Sequence, residues 1–208
     1  MRIFLSGPPA SGKTSVARVV GLRTGLPVVA HSSEGEGGDA GVCLISPDHD
    51  SLSRLIETNP SGVFDLGSET VAYHHTRRLI LDSGMLVTLS GSIDELLERA
   101  KKRGSTSEGA RGGLEKALGS GLNRNATFYA ESHAQIDTTG VSPDAVAEEV
   151  LQVAAIEPIL VPLAERSCRI EIGSGVRRRL RKHLRPYCTG TSPIVVVTDT
   201  RLEKSWGG

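Results

Sequence analysis

Aromatic residues make up only 3% of this 208-residue chain, so its core must be filled by Val, Leu, Ile and Ala. Such a core suits a parallel sheet covered by helices on both faces. The chain has three cysteines, Cys43, Cys168 and Cys188, odd in number and far apart. That spacing speaks against a disulfide framework or a cysteine-built metal site and points to reduced thiols of a cytoplasmic protein. Net charge is absent, because 24 Lys and Arg balance 24 Asp and Glu, so nothing global draws the chain to nucleic acid or membrane. No apolar run reaches the roughly 18 residues of a transmembrane helix. The N-terminus reads as a strand, not as a signal peptide. The length allows one α/β domain with an appendage, or two small domains.

What is present is alternation. Apolar runs at 2–6, 26–30, 62–66, 85–89 and 135–138 read as strands. Between and after them, 13–24, 51–57, 73–83, 93–103, 114–134 and 142–155 read as helices. Asp94 and Glu95 open one of these helices and Lys101, Lys102 and Arg103 close it, which complements its dipole. Ser142-Pro143-Asp144 reads as an N-cap followed by proline in the first turn. The segment 31–41 reads as a flexible loop, and 104–113 as a mobile lid. The pattern predicts a five-stranded parallel sheet in a three-layer α/β/α, P-loop NTPase-like domain over 1–155. Past Pro158 the character changes. Residues 169–175 read as a strand and turn, 176–184 as a basic helix and 193–199 as a buried strand. That is a short C-terminal βαβ appendage over 156–208. The basic run Arg177 to Lys182 reads as the solvent face of its helix and not as a nucleic-acid site.

Between the first strand and the first helix lies Gly7-Pro8-Pro9-Ala10-Ser11-Gly12-Lys13-Thr14, followed by Ser15. It fits G-x-x-x-x-G-K-[ST] in the strand–loop–helix context the motif requires. Backbone N–H groups and the helix N-terminus would cradle a polyphosphate. Lys13 would reach the β- and γ-phosphates, and the Thr14 hydroxyl would hold Mg²⁺. Asp65, at the end of its strand beside the loop, is a candidate for catalysis, for holding Mg²⁺ through water, or for capping a helix start. Glu69 and Glu34 are weaker candidates.

Residues 1–155 resemble shikimate kinase. The resemblance is carried by the loop, by Gly62-Val63-Phe64 through Leu66-Gly67-Ser68-Glu69, and by Leu86 to Leu89 with Ile93 to Arg99. Arg111-Gly112-Gly113-Leu114 and Arg124-Asn125-Ala126-Thr127-Phe128-Tyr129 extend it. The resemblance implies that Arg99 lies against adenine and that Arg111, in the lid, touches the phosphates and assists catalysis. It implies that Arg124 pairs with a substrate carboxylate and that Gly67 borders the substrate. A guanidinium suits each of its roles by stacking on a base or forking onto an oxyanion.

The acceptor half departs from that family. Its Asp-x-Asp after the second strand is Ala30-His31-Ser32 here, and its Phe-Arg-x-x-Glu becomes Leu44-Ile45-Ser46-Pro47-Asp48. Its triple glycine becomes Leu66-Gly67-Ser68. Residues 160–204 resemble the start of 3-dehydroquinate synthase, through 169–175 and 194–199. Most of that family's active site would lie beyond this stretch, so no synthase activity is expected from the chain. The resemblances imply an ATP- and Mg²⁺-dependent kinase acting on a small hydroxylated, carboxylated substrate such as shikimate. The alternative is a nucleotide-binding pseudokinase left from a kinase–synthase fusion.

Overall fold

The computed structural model describes residues 1–31, 49–102 and 126–172. The chain divides into two compact units, Met1–Glu171 and Ile172–Gly208, and every described residue except Ile172 belongs to the first. The first unit therefore runs beyond residue 155.

Five parallel strands build its sheet: β1 (Arg2–Ser6), β2 (Val28–His31), β3 (Gly62–Leu66), β4 (Met85–Ser90) and β5 (Ala134–Asp137). Their order is β2-β3-β1-β4-β5, with β1 in the centre. The helices are α1 (Lys13–Thr24), α2 (His49–Thr58), α3 (His74–Ser83), α4 (Ile93–Lys102), the helical residues 126–130 (α5) and α6 (Pro143–Ala154). All five residues of β3 are buried, as a strand covered on both faces requires. Ile3, Leu5, Val63, Val87 and Leu89 point to one face, where they meet Val16, Ala17 and Val20 of α1 and Val146 and Val150 of α6. Phe4, Phe64, Leu66 and Leu86 point to the other, against Leu52 and Ile56 of α2 and Ile80 of α3. Phe4 and Phe64 stack at 4.6 Å between ring centres, so two of the chain's few rings fill the middle of that layer.

The element bounds depart from the periodicity in local ways. Strand β2 begins at Val28 because Pro27 has no N–H for the ladder, although its carbonyl still accepts from Val63 N at 2.9 Å. Within the stretch read as helical over 114–134, the described part is helical only over 126–130, and β5 starts at Ala134. Helix α6 starts as expected, with Ser142 Oγ accepting from Ala145 N at 3.3 Å. A 3₁₀ turn at Thr70–Ala72 and the strand β6 (Ile159–Val161) were not legible from periodicity, whereas the strand read from residue 169 is β7 (Cys168–Ile170), which pairs antiparallel with β6. Of the loop read over 31–41, His31 instead ends β2 and the rest lies outside the described residues, as do the lid at 104–113, the helix at 176–184 and the strand at 193–199. Among the described residues no helix is long and apolar enough to cross a membrane.

His133 sits at the entry to β5. Its backbone N–H donates to Leu86 O at 2.8 Å, and its Nδ1 accepts from Leu86 N at 3.0 Å. Burial lowers its pKa below 6.5, and the neighbouring Arg169 lowers it further. The unfolded chain therefore binds a proton here that the folded chain resists, so stability is full above pH 6.5 and falls as the pH drops below it. A His133→Asn variant, which keeps an acceptor near the Nδ1 position, is expected to flatten that decline. Thermal melts between pH 7 and pH 5 check this, and an unchanged slope in the variant removes His133 as its source.

Candidate functional site

The site lies at the C-terminal ends of the central strands, where the order of a parallel sheet switches direction and leaves a crevice. Chain leaving β1 turns through three positive φ angles, Gly7 at 140°, Ala10 at 61° and Gly12 at 92°. Gly7 is required by space as well as by conformation, because a Cβ there would lie 2.1 Å from Leu89 O. The turn is closed by Ser11 N donating to Pro8 O at 3.3 Å, and α1 opens with Val16 N donating to Gly12 O at 2.9 Å. No acidic residue stands in the first turn of α1, which leaves its N-terminal field to an anion.

Lys13 folds back over the loop, its Nζ donating to Gly7 O at 3.0 Å and Pro8 O at 2.9 Å. Its charge thus sits where successive phosphates would lie. Thr14, one residue on, donates its hydroxyl to Asp65 Oδ2 at 2.6 Å. Asp65 is only 4% exposed, so its carboxylate is held in the sheet beside the loop, engaged by Thr14. Hydroxyl and carboxylate oxygens are hard donors of the kind Mg²⁺ accepts, and two protein groups leave room for phosphate and water ligands. The Thr14–Asp65 pair therefore fits Mg²⁺.

Beside the loop opens a cleft of about 180 Å³. Ser11, Gly12 and Ser15 form its loop side, Val16, Pro143 and Val146 its apolar wall, and Arg99 and Thr138 its polar edge. Arg99 is fixed there by bonds to Thr138 Oγ1 at 2.9 Å and Thr138 O at 2.6 Å. It also pairs with Glu95 at 3.1 Å. The arrangement presents a guanidinium and an apolar wall next to a phosphate cradle, the surroundings a flat base requires.

Across the sheet, Gly67 begins the turn that follows β3. That turn carries its own bonds, Thr70 N to Gly67 O at 3.1 Å and Ala72 N to Glu69 O at 3.0 Å. Tyr129 of α5, itself buried, donates its hydroxyl to Ser68 O at 3.2 Å. The structure thus brings together Gly7 to Ser15, Asp65 and Arg99 at one end of the sheet, and Gly67 directly follows the last residue of β3. Arg111 and Arg124 lie outside the described residues. Sequence reasoning missed Thr138, Pro143 and Val146. Their signal was position, since Thr138 immediately follows a strand end of a doubly wound sheet.

This is the α/β/α fold of the P-loop NTPases. It is shared with a shikimate kinase from Acinetobacter baumannii solved in complex with shikimate, at a TM-score of 0.59 and 20% identity over 74% of this chain and 92% of that one. It is shared also with the YorR protein from Bacillus subtilis, solved in complex with phosphorylated GDP, at 0.55 and 19% over 76% and 97%. At such identities these structures speak for the fold alone. No family model matches the chain. A protein of Natronomonas pharaonis described as "Putative adenylate kinase" is 34% identical over 158 residues, covering 72% of this chain and 88% of the relative. A protein of Thermococcus onnurineus with the same description is 27% identical over 154 residues, covering 73% and 82%. The chain belongs to the family of these proteins. None of these comparisons supports the likeness to 3-dehydroquinate synthase, and within the described part of that stretch β7 pairs with β6 in the first compact unit.

Proposed function

We propose that this protein is a kinase that transfers the γ-phosphoryl group of ATP to the phosphate of a nucleoside monophosphate. The observation that carries the nucleotide half is the 2.6 Å bond from Thr14 to buried Asp65, beneath a loop whose lysine lies along its carbonyls. Thr14 would hold Mg²⁺ directly and Asp65 through water. When bound, Mg²⁺ neutralises charge on the β- and γ-phosphate oxygens. Lys13 exchanges loop carbonyls for phosphate oxygens, and the N–H groups at the start of α1 orient the chain of phosphates. Arg99 and the apolar wall of the cleft receive the base.

The loss of two carboxylates favours a phosphate acceptor over a hydroxyl. Transfer to a hydroxyl requires a base to take the hydroxyl proton, and losing such a base costs about 10²–10⁴ in rate. The carboxylates that would serve a shikimate hydroxyl are replaced by Ala30-His31-Ser32. A phosphate monoester needs no such base, because with a second pKa of about 6 its oxygen is already ionised at neutral pH. In the proposed step the bond from the γ-phosphorus to the β,γ-bridging oxygen breaks, and a bond to an acceptor phosphate oxygen forms. ATP and AMP give two ADP, with no proton for the protein to remove. The 34% identical relative supports the same acceptor class.

Phosphorus NMR of ATP and Mg²⁺ with AMP, and separately with shikimate, tests the reading. ADP formed from AMP by the wild type and not by Lys13→Ala is the expected result. Phosphorylated shikimate instead would restore the hydroxyl acceptor, with Asp65 the first candidate base. Lys13-dependent ATP binding without transfer to either would favour a pseudokinase. In the active enzyme, Arg99→Leu is expected to raise the KM for ATP about tenfold, the scale of one desolvated cation–π contact. Its kcat should hardly change, and a joint fall of kcat and kcat/KM would place Arg99 at the reacting phosphates instead.

A further inference from the structure

Arg77 of α3 is the one buried arginine among the described residues, and it takes no part in the nucleotide cleft. Its Nε donates to Glu131 Oε2, its Nη1 donates to Val71 O at 2.7 Å, and its guanidinium lies 4.7 Å from the centre of the Phe128 ring. The other oxygen of Glu131 accepts from Ala164 N at 2.8 Å, in the connection between β6 and β7. Arg169 of β7 donates to Ser132 O at 2.7 Å and Ala130 O at 3.3 Å. The segment 128–133 is thus held on one side by the C-terminal hairpin. On the other side it holds the turn after β3 at two carbonyls, Ser68 O through Tyr129 and Val71 O through the Arg77–Glu131 pair. That turn leaves the C-terminal end of β3 directly after Asp65 and Leu66, so it borders the crevice on the side away from the base cleft.

We infer that the Arg77–Glu131 pair, braced by the hairpin at 159–170, is a positioning element for the acceptor. It fixes the turn at 67–73 so that the acceptor meets the γ-phosphate in one pose. The withdrawal of the pair from most solvent, with side chains 8% and 13% exposed, argues for such a use. Two ions taken out of water seldom add net stability over apolar residues of similar size, although removing one of them leaves a costly unpaired charge. What this pair supplies that apolar residues would not is a directed donor to Val71 O. The hairpin is then a working part of the catalytic unit. The inference rests on the kinase reading above for its link to an acceptor, but the holding of the turn does not.

The test separates positioning from structure by removing both charges at once, in full-length Arg77→Met/Glu131→Gln. Without a lone buried charge, this variant should lose little beyond the hydrogen bond to Val71 O and stay folded, melting only about 2–4 °C below the wild type. Exchange of the Thr70 and Ala72 amides, which are bonded to Gly67 O and Glu69 O, should quicken about tenfold, as expected on losing one hydrogen bond. The amides of β1 should be unaffected. With ATP and AMP, the KM for AMP should rise about fivefold or more and the KM for ATP should stay within about twofold, one fivefold change being about 1 kcal/mol. Arg169→Met, which loosens the hairpin and leaves the ion pair in place, should shift both readouts in the same direction and serves if the double variant fails to fold. Unchanged exchange at Thr70 and Ala72, or a KM for AMP that stays at the wild-type value while exchange quickens, overturns the inference. If the wild type transfers to no acceptor, the kinase reading has failed, and the exchange result still decides whether the pair holds the turn.

Discussion

Replacing Asp65 with asparagine is expected to slow phosphoryl transfer by about 10²–10³-fold, the scale of losing one preorganised charge-stabilising group. The same change should leave the protein as stable as before or more so. Asp65 is 4% exposed and bonded to the Thr14 hydroxyl, so folding removes a carboxylate from water beside a neutral partner. Asparagine has the same shape, retains a carbonyl oxygen for Thr14 and carries no charge to desolvate. It also loses most of its attraction for a divalent cation, so the Mg²⁺ concentration for half-maximal activity should rise about 10–100-fold. Steady-state rates across a Mg²⁺ series, with thermal melts of the same preparations, make the measurement. A fully active Asp65→Asn protein would take Asp65 out of the mechanism. A melting temperature that falls in step with the rate would make it a structural residue.

Gly7→Ala is the second large effect, and it acts on stability. The new methyl would meet Leu89 O at 2.1 Å, and the loop and β4 are both fixed by sheet pairing, with Ser6 in register with Thr88. Its φ of 140° adds strain for any residue with a side chain. Overpacking and backbone strain together should cost at least about 3 kcal/mol, and nucleotide binding should be lost with the loop geometry. Gly12→Ala is the control. Its φ of 92° is also unfavourable, but nothing lies within 4 Å of the added carbon. That variant should lose about 1–3 kcal/mol by strain alone. Urea unfolding of the two proteins compares them, and equal losses would mean that the Leu89 contact relaxes freely.

The fold was legible where local chemistry and tertiary demand agree. Continuous apolar runs such as 62–66 and 85–89 mark strands buried on both faces, and the glycines and Lys13 between a strand and a helix mark the phosphate cradle. Asp65 is legible as a candidate from its place at the end of a strand beside the loop. The 3₁₀ turn at Thr70–Ala72 and the strand Ile159–Val161 were not legible, because three residues are too few to show a period and Pro158 and Pro162 obscure the second. Nothing in the local sequence distinguishes Arg77 and Glu131 from ordinary surface charges. In one dimension, a buried ion pair looks the same as two solvated ones 54 residues apart. Thr138, Pro143 and Val146 share the base cleft with Arg99 only because β4 and β5 are neighbours, which no local pattern announces.

The central place of β1 bears on how the chain reaches this state. Strand β1 pairs with neither of the elements that directly follow it in sequence, but with β3 and β4. Phe4 lies in register with Phe64 on one side and Leu86 on the other. Contacts between such distant residues form slowly, because a long loop must close before they yield any stabilisation. The phosphate loop is therefore synthesised well before it is shaped. A nascent chain that stops short of Ser90 carries the whole G-x-x-x-x-G-K-T sequence but lacks the β4 backbone against which Gly7 packs. It is expected to bind no nucleotide, and calorimetry on such fragments of increasing length would locate the onset of binding at the completion of β4.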